Sequence, residues 1–342
     1  MPFYFDQHTF RTPPDFRTLP SHAYRSADGV ILYIVLRPKL YRPELDTPER
    51  RHRRAKIYSL EMRTGLLSAL RLLSRSEWLR FGARYRLVSL FCRSEYCASL
   101  PFEIDFFGLR YPGDLSCFLD WHVYFFGAYE KASLLYLRDL LHDRGGEVFV
   151  DIGANVGQHA LFMSKYARVV HAFEPWDVVR RSIEEKVERN TLTNIKIHPV
   201  GLGERHEWLP YYAPLGSNTG TGSFDKHHAT DRNRLSEKLE IVNGDEYFEA
   251  NGIDNIDLIK IDVEGWEKFV LLGLRKTLAR WKPTVFMEIS ESALTTLDGP
   301  DELRRCVPEC YEVVYADISQ NGIRYSQFDA SRPGDVLLRV VG

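Results

Sequence analysis

The sequence predicts an α/β fold: an open, wound, mostly parallel sheet with helices on both faces, preceded by a mainly helical extension. Three observations predict it. From residue 148 onward, short apolar runs alternate with stretches of helical periodicity, and strand–helix–strand alternation means parallel pairing through right-handed crossovers. The first of those runs delivers the chain into a glycine-rich turn, Asp151-Ile152-Gly153-Ala154-Asn155-Val156-Gly157, at the strand end where such a sheet gathers ligands. The composition is globular, 44% hydrophobic and 27% charged over 342 residues. It excludes wholesale disorder and collagen-like structure and allows one large α/β domain, or an ordinary domain with an appendage.

Charge divides the chain near residue 100. Residues 1–100 carry 18 Lys and Arg against 9 Asp and Glu; residues 101–342 carry 27 against 38. The split leads to two expected units, a basic, mainly helical N-terminal region over residues 1–105 and the wound sheet over residues 106–342. The first 45 residues are loop-rich and contain prolines. Arg50, Arg51, Arg53, Arg54 and Lys56 then form the densest basic cluster. Ile57, Leu60, Leu66, Leu67, Leu70 and Leu73 follow at helical spacing, with Arg63, Arg71 and Arg75 among them. Packing of such a helix on the main domain is the ordinary outcome; peripheral contact with an anionic membrane is the alternative. No nucleic-acid motif accompanies the cluster, so no nucleic-acid partner is expected.

No run of roughly 18 uncharged apolar residues occurs, which argues against a conventional membrane-spanning helix. The start, Met1-Pro2-Phe3-Tyr4-Phe5-Asp6, lacks the layout of a secretory signal. The five cysteines, at 92, 97, 117, 306 and 310, include no CxxC pair. Neither a disulfide scaffold nor a zinc ribbon is expected, and a cytoplasmic setting fits best, at the inner face of a membrane if the basic helix binds lipid.

In chain order, an aromatic and aliphatic tract over residues 115–141 ends as a helix, broken by Asp143-Arg144-Gly145-Gly146. Val148–Ile152 reads as a buried strand, residues 156–166 as a helix and Val169–Phe173 as a strand. Val178, Val179, Ile183 and Val187 mark a helix that runs out near Asn190. Residues 195–200, 257–263 and 283–289 are further strands, the last two separated by a helical stretch with Phe269, Leu272, Leu274 and Leu278. Residues 311–316 and 335–341 read as late antiparallel strands. Residues 208–242 interrupt the alternation: Gly216, Asn218, Gly220 and Gly222 precede a polar tract over 225–237, expected to be a disordered segment or a functional lid.

Glycines after the first strand permit a sharp turn and a close ligand approach, and free amides at the helix start favour an anionic group. Asp151 adds negative charge at the strand tip, which a phosphate tolerates poorly and a ligand carrying an ammonium and a sulfonium welcomes. Asn155 also holds the place of the second glycine of G-x-G-x-x-G. Both points favour S-adenosylmethionine over NAD. Glu174 ends the next strand, 21 positions after Gly153, where wound nucleotide sites place an acid for the ribose hydroxyls. It reads equally as a first-turn helix acid beside Pro175.

These two stretches, with Leu258-Ile259-Lys260-Ile261-Asp262-Val263-Glu264-Gly265-Trp266-Glu267, resemble the FkbM family of S-adenosylmethionine-dependent methyltransferases. Gly127-Ala128-Tyr129-Glu130, Asp245-Glu246-Tyr247-Phe248 and Lys282-Pro283-Thr284-Val285-Phe286-Met287-Glu288-Ile289 match in order as well. The resemblance implies a class I methyltransferase (Rossmann-like) fold, with a seven-stranded sheet whose last strand is antiparallel. It implies methyl transfer, usually to a hydroxyl oxygen of a sugar, polyketide or related metabolite. It places Asp151, Gly153, Asn155 and Gly157 around the methionine half of the cofactor, Glu174 at the ribose, and Glu130 among the cofactor-binding residues. Two departures stand out: Gly244 where the family usually has an apolar residue, and the bulky Trp266 at a position that is often small.

Methyl transfer needs the acceptor oxygen, methyl carbon and sulfur held in line, and a positioned base assists loss of the hydroxyl proton. Lys260, Asp262 and Glu264 alternate, so they share one face if the strand persists. A lysine in an apolar strand is costly to bury unpaired. One reading is therefore a Lys260–Asp262 ion pair that shapes the strand end. The other sets Asp262 beside the cofactor's ammonium or the acceptor, with Glu264 or Lys260 orienting the acceptor. Glu288 ends the next strand and is expected to join them. Asp262, Glu264 and Glu288 also offer oxygen ligands to a divalent cation, but no surrounding sequence fixes such a site and no metal is expected. His159, His206, His227 and His228 are candidate bases, although solvent exposure is a histidine's commoner fate; His171 is expected in the core. Asn218-Thr219-Gly220 reads as an acceptor-binding loop or an ordinary turn. The expected activity is O-methylation of a sugar, glycan or other small-molecule acceptor. N-methylation, an NAD-dependent oxidoreductase and a non-catalytic membrane-surface protein are the alternatives.

Overall fold

The computed structural model describes residues 24–25, 31–32, 60–76, 78–94, 97–224, 233–297, 299–319 and 322–341. The basic cluster at residues 50–56, Ile57, His227 and His228 lie outside them. The chain divides into two compact units, Met1–Arg63 and Thr64–Gly342. In the first, Tyr24–Arg25 pairs antiparallel with Ile31–Leu32. No helix among the described residues is long and apolar enough to cross a membrane.

Helices α1 (Leu60–Ser74) and α2 (Phe81–Phe91) come first. Leu70 and Val88 bury against Leu115, Trp121 and Phe125, so part of the apolar stripe is a packing seam; Leu66, Leu72 and Leu73 stay exposed. A hairpin, β1 (Pro101–Phe106) and β2 (Leu109–Asp114), straddles position 105. The tract that follows forms two helices, α3 (Phe118–Phe126) and α4 (Lys131–Asp143).

The wound part runs β3 (Val148–Ile152), α5 (Gln158–Met163), β4 (Val169–Phe173), α6 (Asp177–Arg189), β5 (Ile195–His198), β6 (Gly201–Gly203), β7 (Glu207–Pro214), β8 (Asn233–Asn243), α7 (Gly244–Asn251) and β9 (Leu258–Ile261). It continues through α8 (Glu267–Gly273), α9 (Arg275–Trp281), β10 (Thr284–Ile289), α10 (Glu291–Thr295), α11 (Pro300–Cys306), β11 (Tyr311–Ser319), β12 (Gly322–Gln327) and β13 (Gly334–Val340). The main sheet has the order β12-β11-β13-β10-β9-β3-β4-β5. Strands β10, β9, β3, β4 and β5 are parallel; β13 returns antiparallel to β10 and to β11.

Seven of these strands form the class I methyltransferase arrangement. The eighth, β12, corrects the expected count. All six of its residues are exposed, so it carries no buried-face alternation and leaves no strand signal in the sequence. The expected helix over residues 156–166 is shorter because Gly157, at φ 81°, stands just before the first turn of α5. The helical stretch around residues 269–278 breaks at Leu274, φ −112° and ψ 14°, into α8 and α9.

Residues 208–242, expected as a disordered segment or lid, are mostly an antiparallel hairpin. Strands β7 and β8 pair and join β6 in a three-stranded sheet; residues 225–232 lie outside the description. Most of the outer half of β8 is exposed and charged, so it reads as loop. The Gly244 departure has a packing reason: a Cβ there would lie 2.6 Å from Leu274 Cδ2.

The sheet is buried on both faces. Along β3, Val148, Val150 and Ile152 belong to one apolar cluster and Phe149 to the other; along β10, Val285 and Met287 oppose Phe286. Near-continuous apolar strands are what two-sided burial demands.

Candidate active site

Strand order reverses between β3 and β9. The chain builds outward through β4 and β5 on one side and through β10 on the other, so the C-terminal tips of β3 and β9 flank a crevice. A cavity of about 170 Å³ opens there, and Gly153, Asn155, Glu174, Lys260, Asp262, Glu264 and Glu288 are on its wall. Seven of the ten candidate residues therefore meet. Asp151, Gly157 and Glu130 are not on that wall.

The β3 tip is built from backbone. Gly153 has φ 79°, and a Cβ on it would sit 1.9 Å from the carbonyl oxygen of Asp262. The turn is thus pressed against the β9 tip, where the Asp262 amide donates to Ile152 O at 3.0 Å. Asn155, at φ 51°, accepts from Thr219 Oγ1 at 2.9 Å, which ties the 218–220 loop to the turn. Gly157 serves packing: its Cβ would meet Ile183 of α6 at 2.9 Å.

Glu174 clasps this turn. Its Oε2 accepts from the Asn155 amide and its Oε1 from the Trp176 amide, both at 2.9 Å. Burial pushes its pKa up to about 7, and those amides pull it back. Each carboxylate oxygen keeps a second lone pair for a ligand hydroxyl. The local role and the ribose role are thus compatible.

Asp151 is fully buried, lies in register with Lys260 and makes no hydrogen bond through either carboxylate oxygen. Lys260 Nζ stands 3.8 Å from it and donates to Asp262 Oδ2 at 3.1 Å. Burial alone lowers a lysine pKa, but Asp262 and then Asp151 outweigh it and hold Lys260 charged. Burial, offset by Lys260, pushes Asp151 up to about 6. The ion pair expected for Lys260 and Asp262 is present, with Asp151 as a second, more distant counter-ion.

Strand β9 ends at Ile261, so alternation along one strand is not what unites Lys260, Asp262 and Glu264. A loop carries Asp262 and Glu264 to the wall instead, with Glu264 at φ 51°. Burial, then Asp262, raises both Glu264 and Glu288 well above the usual carboxylate range. Glu288 faces Asp335 across the β10–β13 pair. Burial, then Glu130 and Asp262, pushes Asp335 up to about 8. Glu130, just before α4 at φ 46°, is exposed yet acts on this group from beside the wall.

Gln158 and Tyr211 are on the wall although no motif pointed to them. Gln158 holds Tyr129 on the wall, accepting from its amide at 2.7 Å and donating to its carbonyl at 3.0 Å. Tyr211 arrives from β7, and Gly222 makes room for it, since a Cβ there would lie 1.8 Å from the Tyr211 hydroxyl. Trp266 lies tilted at 56° to Phe224, with ring centroids 5.7 Å apart. His159, 9% exposed, is on the wall with Nε2 unpartnered; burial and then Lys260 lower its pKa, keeping it neutral. His171 pairs with His198 at 3.0 Å and His206 with Glu240 at 2.9 Å, all off the wall. No group of three His, Cys, Asp or Glu among the described residues is arranged to hold a metal ion.

A larger cavity of about 540 Å³ adjoins the first, sharing Val156, Val179 and Thr219 with it. Its buried acid, Asp120, is already satisfied by Tyr111 Oη at 2.8 Å and the Asp114 amide at 2.9 Å. The converging unsatisfied groups are at the strand tips, so the smaller cavity is the candidate site.

The family model described as the methyltransferase FkbM domain matches residues 151–311. Methyltransferase 1 of Beauveria bassiana (strain ARSEF 2860) is 28% identical over 142 residues, covering 36% of this chain and 57% of that protein. Hexuronic acid methyltransferase AglP of Haloferax volcanii is 29% identical over 133 residues, covering 39% of this chain and 52% of that protein. This chain therefore spans little more than half the length of either relative. Among solved structures, methyltransferase FkbM from Methylobacillus flagellatus KT aligns with 80% of this chain and 58% of its own, at 17% identity and a TM-score of 0.42. Over residues 151–311 the chain is similar to the FkbM methyltransferase domain.

Proposed function

We propose that the protein is an S-adenosylmethionine-dependent methyltransferase that acts on a hydroxyl oxygen. One observation carries the reading: within a domain similar to that of this family, the Gly153 turn clasped by Glu174 and the Lys260–Asp262 tip face one cavity across the switch point. The residues fit the cofactor. Glu174 has lone pairs for ribose hydroxyls. Leu202, Tyr211, Phe224, Ile241 and Trp266 give the cavity an apolar and aromatic side, suited to a purine. Asp262 offers a carboxylate to a cationic ligand. A dinucleotide fits poorly, because Lys260 is the only Lys or Arg among the described wall residues and its charge is already neutralised by Asp262.

When bound, S-adenosylmethionine supplies an electrophilic methyl group. The chain's own task is positioning and proton removal. Lys260 fixes the orientation of Asp262 at the reacting end. Glu264 and Glu288 line the same end, and burial raises their basicity toward the working pH, as a general base requires. Kinship with a hexuronic acid methyltransferase supports a sugar or glycan hydroxyl as the acceptor.

Calorimetric titration of the full chain with S-adenosylmethionine and with NAD tests the reading. Binding of the first and no heat from the second is expected. NAD binding without S-adenosylmethionine binding overturns it.

A further inference from the structure

The β9–β10 side of the cavity holds more acid than positioning and proton removal require. Asp262, Glu264 and Glu288 are on its wall, and Asp335 stands directly opposite Glu288 on the neighbouring strand. Two acids opposed in this way keep a proton between them below about pH 8, and a neighbouring cation is what lets both ionise. Lys260 is the only described cation on the wall, and Asp262 at 3.1 Å and Asp151 at 3.8 Å already surround it. Among the described residues, Glu264 and Glu288 have no hydrogen-bond or ion-pair partner. An independent feature marks the same cavity as built for a polar ligand: His159, on its wall and 9% exposed, leaves Nε2 without a partner. Buried polar groups are rarely left so without a ligand or water to satisfy them.

We propose that this end of the cavity binds a positively charged amino group next to the reacting hydroxyl, so that the acceptor is an amino-bearing polyol such as an amino sugar. Such an acceptor shares a sugar hydroxyl with the hexuronic acid for which the AglP relative is named but carries an ammonium in place of its carboxylate. The inference deepens the methyltransferase reading and rests on it. An ammonium gives Glu264 and Glu288 charge-assisted hydrogen bonds and lets Glu288 ionise beside Asp335. A carboxylate on the acceptor adds one more like charge to the group. The raised pKa values of Glu264 and Glu288 follow from burial and then the Asp262 charge, as expected of acids that lack a counter-ion. The ammonium is bound, not methylated; the oxygen beside it remains the nucleophile.

The test uses the full chain. S-adenosylmethionine binding is measured first by calorimetry. Initial rates are then compared, by mass spectrometry at neutral pH, for the methyl glycosides of glucosamine, glucose and glucuronic acid. The glucosamine glycoside is expected to exceed the glucose glycoside about tenfold in kcat/KM, the equivalent of one charge-assisted contact, with no turnover of the glucuronide. Glu288→Gln is expected to erase most of that preference through KM. Asp335→Asn, which leaves the wall itself intact, is expected to reduce it less. Glucuronide turnover equal to or above the others, turnover of none of the three, or an unchanged preference in both variants overturns the proposal. A chain that binds no S-adenosylmethionine overturns the function reading itself; one that binds it and ranks the glycosides otherwise overturns only this inference.

Discussion

Glu174 and Glu288 both stand at the C-terminal ends of parallel strands in one sheet, on one cavity wall, yet their surroundings differ. Glu174 has a backbone amide on each oxygen, and its neighbours are fixed by the turn it clasps. Glu288 has no hydrogen-bond partner among the described residues and faces another acid. Glu174 is thus satisfied without a ligand, as suits a group that holds a cofactor that never varies. The β9–β10 side is left unsatisfied, as suits a group that the acceptor supplies. Preorganisation and selectivity are divided between the two sides of the switch point.

The strongest way to break that division is at the β9 tip. Asp262→Ala is expected to lower turnover about 100- to 1000-fold, with S-adenosylmethionine affinity falling far less; single-turnover kinetics and calorimetry separate the two. Equal losses in both would confine Asp262 to cofactor binding, with no part in the transfer step. Next in size, Gly153→Ala puts a Cβ 1.9 Å from Asp262 O at φ 79°. It is expected to destabilise the fold by about 3 kcal/mol and lower Tm by roughly 6–12 °C, read by thermal denaturation. An unchanged Tm would mean that the two tips are not in contact.

Smaller in effect, Glu174→Gln keeps the shape but turns an amide group toward a backbone N–H. S-adenosylmethionine affinity is expected to fall about tenfold, roughly 1.4 kcal/mol, with kcat near the wild-type value. The smallest effect concerns pH. Asp335 titrates at about 8 in the fold against an ordinary 3.8, so between those values the folded state holds a proton that the unfolded chain has shed. Its contribution is present at acid pH and is lost as pH rises toward 8. Asp335→Asn should flatten the fall of Tm between pH 5 and 8; a parallel curve would contradict the assignment.

The β3–β4 side was legible in the sequence because its chemistry is local: Asp151, Gly153 and Glu174 lie within 24 consecutive residues. The parallel strands were legible because two-sided burial makes them apolar throughout. The other side was legible only in part. Lys260 and Asp262 announced an ion pair by contrast with their strand, but Asp335 comes from the antiparallel return strand and acquires meaning only through its register with Glu288. Tyr211 sits in a hairpin whose outer face is charged, and Gly222, which makes its place, reads as a plain turn residue. The exposed strand β12 left no pattern at all.

The most direct test of the central claim is a crystal structure of the full chain with S-adenosylhomocysteine. Density bridging Glu174 and Asp262 across the tips of β3 and β9 is the predicted result. Density elsewhere, in particular in the larger cavity beside Asp120 and Arg189, would contradict it.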